Sequence, residues 1–436
     1  RPVRAKISRA KAAVQGPIAA YWNPAALGRP TANPYGVQIP VGVRAAVTGS
    51  VIEGANDLEA LKDSQTPPPQ AQVAAAVAKL NQPGNGVRLG VDGGVNVKIG
   101  KIAVFTNSYL DMGAVPTIDA TATPATVIAG TNNSKLTLKG AQVVELGVGY
   151  GREMSFAPGL YLGGNLKIMS AQVGYYDYYV LRNSNEDSNM LSKFKDGAAK
   201  SSNFGVDLGM LWDITRTFEG AVLHPRVGLV GRNLNNPKFK PPAAATAAGA
   251  TGKYAVNPQL RMGASISPFN WWNITTDLDL TRNLTPVDNV ASRQFGVGNE
   301  FNVFNRSWIN IPVRAGLMRN LAESGSGTML TLGTGLNFLH VIFDASAAVS
   351  PKRVVTQSQG KETKVPREVA VALSLSVLFG GADEESTREM RAESNASEQP
   401  ASTEKVREAS EKAQKELDAE SAKPATSESA PEPTKK

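Results

Sequence analysis

The feature that most constrains this chain is the alternation of its connections. From Gly36 onward, fourteen segments place apolar residues at every second position, the period of a strand with two unlike faces. They span 36–50, 86–98, 101–111, 135–150, 159–180, 203–215, 222–234, 257–267, 271–282, 294–304, 308–319, 328–338, 341–350 and 367–379. The links at 99–100, 151–158, 216–221, 268–270, 305–307 and 339–340 are short. Those at 51–85, 112–134, 181–202, 235–256 and 351–366 are long and polar or rich in proline. Short turns at one end, long loops at the other and an even strand count describe an all-β fold, a 14-stranded antiparallel transmembrane β-barrel.

The faces agree. In the last segment Val369, Val371, Leu373, Leu375, Val377 and Phe379 alternate with Ala370, Ala372, Ser374 and Ser376. One set suits lipid and the other a polar lumen. A soluble sandwich shows the same alternation with its apolar side inward, so the aromatics are needed to choose. Tyr150, Phe156, Trp212, Phe218, Phe269, Trp271, Trp272, Phe304, Trp308, Phe338 and Phe379 gather at the short turns, as in the girdle of a membrane interface.

Three further regions surround this pattern. Residues 1–35 precede the first strand, and within them Trp22-Asn23-Pro24-Ala25 forms a stiff turn, because Pro24 fixes its own φ and keeps Asn23 out of the helical region. Alone, this is an ordinary surface turn; ahead of fourteen strands it is read as a plug, with 36–380 as the barrel. In the first long loop, 55–62 and 70–80 have helical composition, separated by three prolines. The segment 381–436 holds 9 Lys and Arg against 14 Asp and Glu, and the rest of the chain 37 against 24. With almost no apolar residues, that tail is expected to be disordered, apart from a charged helix at 402–422, and to hang in the periplasm. The chain starts at Arg1, and a mature form that has lost a signal peptide is expected.

Chemistry is sparse. There is no Cys, and His224 and His340 are the two histidines, which leaves little for thiol, metal or acid-base catalysis. No hydrolase, zinc-protease or phosphate-loop motif occurs. Gly90-Val91-Asp92-Gly93-Gly94 and the glycines at 147–151 lie inside alternating strands, where glycine marks a bend or a close approach. The oxygen-rich loop 183–189 lacks the glycine and closing Glu of a calcium loop. No enzyme, cofactor or metal is expected, and scattered basic residues argue against nucleic acid. By strand parity the lumen receives Arg44, Arg88, Asp92, Glu145, Lys167, Asp207, Asp213, Arg226, Arg232, Arg261, Asp277, Asp279, Glu300 and Arg314. These could recognise a charged head group, or pair with one another and hold the plug.

Trp22-Asn23-Pro24-Ala25-Ala26-Leu27 ahead of fourteen strands resembles the FadL-like outer-membrane transporters of long-chain fatty acids and other hydrophobic molecules, whose N-terminal hatch carries an Asn-Pro-Ala signature. The helical first loop, the run from Gly228 to Pro237 (GLVGRNLNNP) and that from Asp277 to Asn283 (DLDLTRN) are similar to the TraF-like branch. PorV-like secretion barrels are also similar. Lacking Cys, the chain is not the thioredoxin-like protein that shares the TraF name. The resemblance implies transport of a hydrophobic small molecule, with Trp22, Asn23, Pro24 and Ala25 on the hatch path. Lipids of the outer membrane surround such a barrel, and the tail is free to meet a periplasmic partner or peptidoglycan. The alternative is a structural barrel of a conjugation-like or secretion-associated envelope machine.

Overall fold

Alternating sequences become strands here because each then turns one face to lipid and one to the lumen while its backbone is satisfied by its neighbours. A computed structural model describes residues 16–380, apart from 32, 63–68, 83–84, 120–122, 124, 127–128, 130, 180–189, 219–220, 251, 285–290, 307, 323–326 and 359–360. The expected tail with its helix at 402–422, residues 1–15 and the loop 183–189 lie outside these.

Fourteen antiparallel strands close into a barrel. They are β1 (Tyr35–Thr48), β2 (Gly86–Ile99), β3 (Ile102–Thr117), β4 (Lys135–Met154), β5 (Ala157–Tyr179), β6 (Ala199–Asp213), β7 (Arg226–Arg232), β8 (Gln259–Phe269), β9 (Trp272–Asp279), β10 (Gln294–Asn305), β11 (Ile309–Asn320), β12 (Met329–Phe338), β13 (Val341–Val349) and β14 (Glu368–Phe379). Each pairs with its neighbours in sequence, and β1 closes on β14 from Tyr35↔Phe379 to Ala46↔Glu368. Ladder pairing all round removes the sheet edges that could not be satisfied in hydrocarbon.

The outward positions are apolar and open. Val41, Val104, Leu146, Leu166, Leu332 and Leu373 are all exposed, while Ala370, Ser374 and Ser376 on the other face of β14 are buried. A closed, even-stranded barrel with such a belt is an outer-membrane barrel. At the short-turn end Phe269, Trp271, Trp272 and Phe301 stack at centroid distances of 5.4 to 6.3 Å. Leu146→Arg on the belt should cost about 2–4 kcal/mol if it lies near the bilayer midplane. Urea unfolding in lipid vesicles measures this, and an unchanged midpoint would place Leu146 outside the hydrocarbon.

Several boundaries differ from the sequence reading: β3 runs on to Thr117 instead of 111, β4 to Met154 instead of 150, and β6 begins at Ala199 instead of 203. The β6–β7 link is not the short 216–221 turn but runs from Ile214 to Pro225, because Ile214–Thr217 forms a helical turn whose Thr217 Oγ1 donates to the Pro158 carbonyl (2.6 Å). At its far end β7 stops at Arg232 instead of 234, since Asn233 turns left-handed at φ 53°. On the long-loop side, α1 (Val51–Lys62) and α2 (Gln70–Leu80) pack through Val51, Leu58, Ala76 and Leu80. Asn85 fixes both: its Oδ1 accepts from Ser50 N (2.8 Å) and its Nδ2 donates to the Lys79 and Leu80 carbonyls (2.6 and 2.8 Å).

Candidate functional site

The N-terminal segment lies in the lumen. Ala19–Trp22 is one helical turn and Pro24–Gly28 a 3₁₀ turn, with every residue of both buried. Between them Asn23 is extended, as the following proline requires. Its Oδ1 accepts from Ala25 N (3.1 Å), and its Nδ2 donates to the Met210 carbonyl on β6 (3.0 Å). Asn23 thus caps the turn and ties it to the wall. Ala19, Ala20, Ala25, Ala26 and Leu27 pack on the inward Ala103, Phe105, Tyr161 and Leu211.

Small residues permit that approach. A Cβ on Gly163 would stand 2.5 Å from Ala25 N, one on Gly151 2.4 Å from the Pro24 oxygen, and one on Gly209 2.0 Å from Asn23 Oδ1. The glycines of β4, β5 and β6 therefore shape the seat of the Asn-Pro-Ala turn.

The charges brought inward by parity meet as ion pairs. Arg44 pairs with Glu368. Arg88 grips Asp111 through two bonds (2.8 and 2.5 Å). Arg261 pairs with Asp279 at 2.6 Å, and Arg226 and Arg29 share Asp213 at 2.7 and 3.2 Å. Arg314 bridges Glu300 (2.7 Å) and Asp344 (2.6 Å). Lys167, fully buried, lies 3.3 Å from Glu145 and 3.1 Å from Asp207. Asp92 is buried and Asp277 half-buried at inward positions. The sequence reading passed over the partners Arg29, Asp111, Asp344 and Glu368 as members of this set. Asp111 was findable, since the tight turn at Gly100 sets Gly90 opposite Asp111 and puts Arg88 on the diagonal.

Above the insert, toward the long loops, a cavity of about 80 Å³ remains. Tyr21, Trp22, Tyr109, Val256 and Met318 give it apolar surface, and its charged lining is Arg44, Arg88, Arg232 and Arg261 together with Glu145 and Asp279. The Arg232 guanidinium stacks 4.0 Å from the centre of the Tyr21 ring, a cation–π contact between wall and insert. The buried Nε groups of Arg44 and Arg232 have no hydrogen-bond partner among the described residues. Tyr21 and Tyr109 were not singled out from sequence as site residues. Among the described residues no group of three or more His, Asp or Glu side chains could hold a metal ion.

Three solved barrels are similar in structure. The toluene transporter TodX of P. putida is 11% identical, with 84% of this chain and 94% of that one covered and a TM-score of 0.43. The Ralstonia pickettii toluene transporter TbuX is 12% identical (87% and 98% covered, TM-score 0.47), and a Pseudomonas aeruginosa FadL homologue 11% (87% and 98%, TM-score 0.45). No curated protein sequence matches the chain. The family described as "F plasmid transfer operon, TraF, protein" matches residues 20–279, from the lumen insert through β9. The match takes in more than half of the chain, and the protein belongs to that family.

Proposed function

We propose that this barrel carries hydrophobic small molecules bearing an anionic head, of which long-chain fatty acids are the model, across the outer membrane, with residues 18–28 as its plug. One observation carries the reading: a cavity on the long-loop side, floored by Tyr21 and Trp22 of the insert, whose charged lining holds four arginines against two carboxylates, Glu145 and Asp279. Aromatic and aliphatic surface suits an acyl body, and guanidinium N–H groups suit a carboxylate. At about 80 Å³ the cavity is far below the roughly 300 Å³ of a site that encloses a whole drug-sized ligand. Passage then requires the plug or a loop to move.

The second reading, an envelope scaffold without transport, is favoured by the ion pairs that tie neighbouring strands together along the lumen wall. The TraF family's name, which refers to a plasmid transfer operon, points the same way. Uptake of a labelled long-chain fatty acid by cells producing the chain separates the two. The expected result is saturable uptake several-fold above empty cells, altered when Asn23-Pro24-Ala25 is replaced. Uptake equal to that of empty cells for both forms, with no apolar ligand co-purifying, would leave the scaffold reading.

A further inference from the structure

The connection between β7 and β8 does not stay outside the barrel. Phe239 and Tyr254, paired in a short two-stranded ribbon, are buried against Tyr109, Ala141, Val143, Met169, Ala171 and Val173 of β3, β4 and β5. Those positions face inward, so the loop sets an apolar wedge against the β3–β5 side of the lumen. Val256, packed beside it, lines the cavity from above. The cavity is therefore bordered both by the insert and by this loop.

The way this loop leaves the wall is unusual. After Arg232 the chain turns at Asn233 (φ 53°) and again at Asn236 (φ 51°), left-handed conformations that asparagine tolerates better than most residues. The ladder with β6 ends in one further backbone bond, from Leu234 N to the Val206 carbonyl (2.9 Å), and gives way to side-chain bonds. Val206 N donates to Asn235 Oδ1 (3.0 Å), and Asn235 Nδ2 donates to the Phe204 carbonyl (2.8 Å). Farther along, Asn203 Nδ2 donates to the Lys238 carbonyl (3.1 Å). The seam above Leu208 is thus pinned largely by amides, each separable on its own, instead of by a continuous strand pairing.

The root of the loop also holds the plug. Asn233 N donates to Asp207 Oδ1 (2.8 Å). The other oxygen of that carboxylate accepts from Asn165 Nδ2 (3.1 Å), and the same amide nitrogen donates to the Ala20 carbonyl of the plug (2.6 Å). The preceding residue, Arg232, covers the Tyr21 ring. Two short paths thus join the first residues of the loop to the plug.

We propose that the β7–β8 loop is an outer closure coupled to the plug through Arg232 and Asp207, so that withdrawing its Phe239 wedge loosens the plug. This rests on the plug reading above, but its test needs no transported ligand. Because the chain has no Cys, Leu27→Cys, on a residue 1% exposed in the plug, supplies a unique thiol whose maleimide labelling in detergent reports plug release. Phe239→Ala, at a residue whose packing partners all lie outside the plug, is expected to speed labelling about tenfold. Asn235→Ala, which cuts the seam without touching the wedge, should give about threefold. Phe239→Leu should stay within twofold of the parent. In a background of Arg232→Met with Asp207→Ala, which removes one charge of each sign and both paths, Phe239→Ala should change labelling less than twofold. Heat-modifiable migration verifies each barrel, and Asn235→Ala carries the test should Phe239→Ala not fold. Unchanged labelling in the loop variants, or the full response with both paths removed, overturns the coupling. Absent fatty acid uptake with the coupling intact would instead defeat only the transport reading.

Discussion

Gly163→Val and Gly209→Val are each expected to convert a closed barrel into a conducting pore. At Gly163 a Cβ would lie 2.5 Å from both Ala25 N and Pro24 C, and at Gly209 2.0 Å from Asn23 Oδ1. The first overlap is with backbone and cannot be relieved by a rotamer change. The second removes the room in which Asn23 caps its turn and reaches Met210. The wall strand is held on both sides by its ladders, so the plug is the part that yields. Planar-bilayer conductance should rise at least tenfold over the parent, and vesicles should become permeable to sucrose. Gly90→Ala is the control, since its Cβ would meet nothing nearer than the Arg44 Cβ at 3.9 Å. If both valine variants stay closed even when Phe239→Ala is added to withdraw the loop wedge, residues 18–28 are not the seal.

Lys167→Met is the second change with a large expected effect. The ammonium is fully buried between Glu145 and Asp207, whose side chains are 1% and 2% exposed. Removing it leaves one positive group, Arg232, against two buried carboxylates. Breaking a buried pair by deleting one partner costs about 3–5 kcal/mol, and here Asp207 also anchors Asn165, the ligand of Ala20. Urea unfolding in lipid vesicles, followed by tryptophan fluorescence, should show that loss. Adding Asp207→Asn to Lys167→Met restores balance, with Glu145 facing Arg232 alone, and should recover most of it. A single-variant cost under about 1 kcal/mol, the worth of an exposed pair, would mean that water reaches this cluster.

The wall was legible in the sequence because lipid and lumen impose opposite demands on successive residues, so that Val369 to Phe379 carries its own orientation. The helices of the first loop were legible too, although α1 begins at Val51 and not Ala55. Its start depends on Asn85, which no local rule connects with Ser50. Arg261↔Asp279, Glu300↔Arg314 and Asp213↔Arg226 sit directly opposite in register, but bulges between Ile266 and Phe269 and between Asn302 and Phe304, and the longer β6–β7 link, set those registers, so parity alone brought the charges inward without naming their partners. The loop wedge escaped for a different reason. Phe239 and Tyr254 stand in a stretch of proline, alanine and glycine with no period, and a lone aromatic carries no direction.

The seat of the insert also bears on the order in which the molecule can be assembled. The wall residues described against Asn23 and Ala25, from Ala103 and Phe105 through Gly209 and Met210, belong to β3, β4, β5 and β6, whereas closure of the wall waits for β14, which ends at Phe379. The insert can therefore dock on an open, half-finished sheet whose last residue is Asp213. Contacts between nearer parts of a chain form with less loop entropy to overcome than those between its ends. The β1–β14 seam then closes around a segment already in place, so no opening wide enough to admit it is needed afterwards.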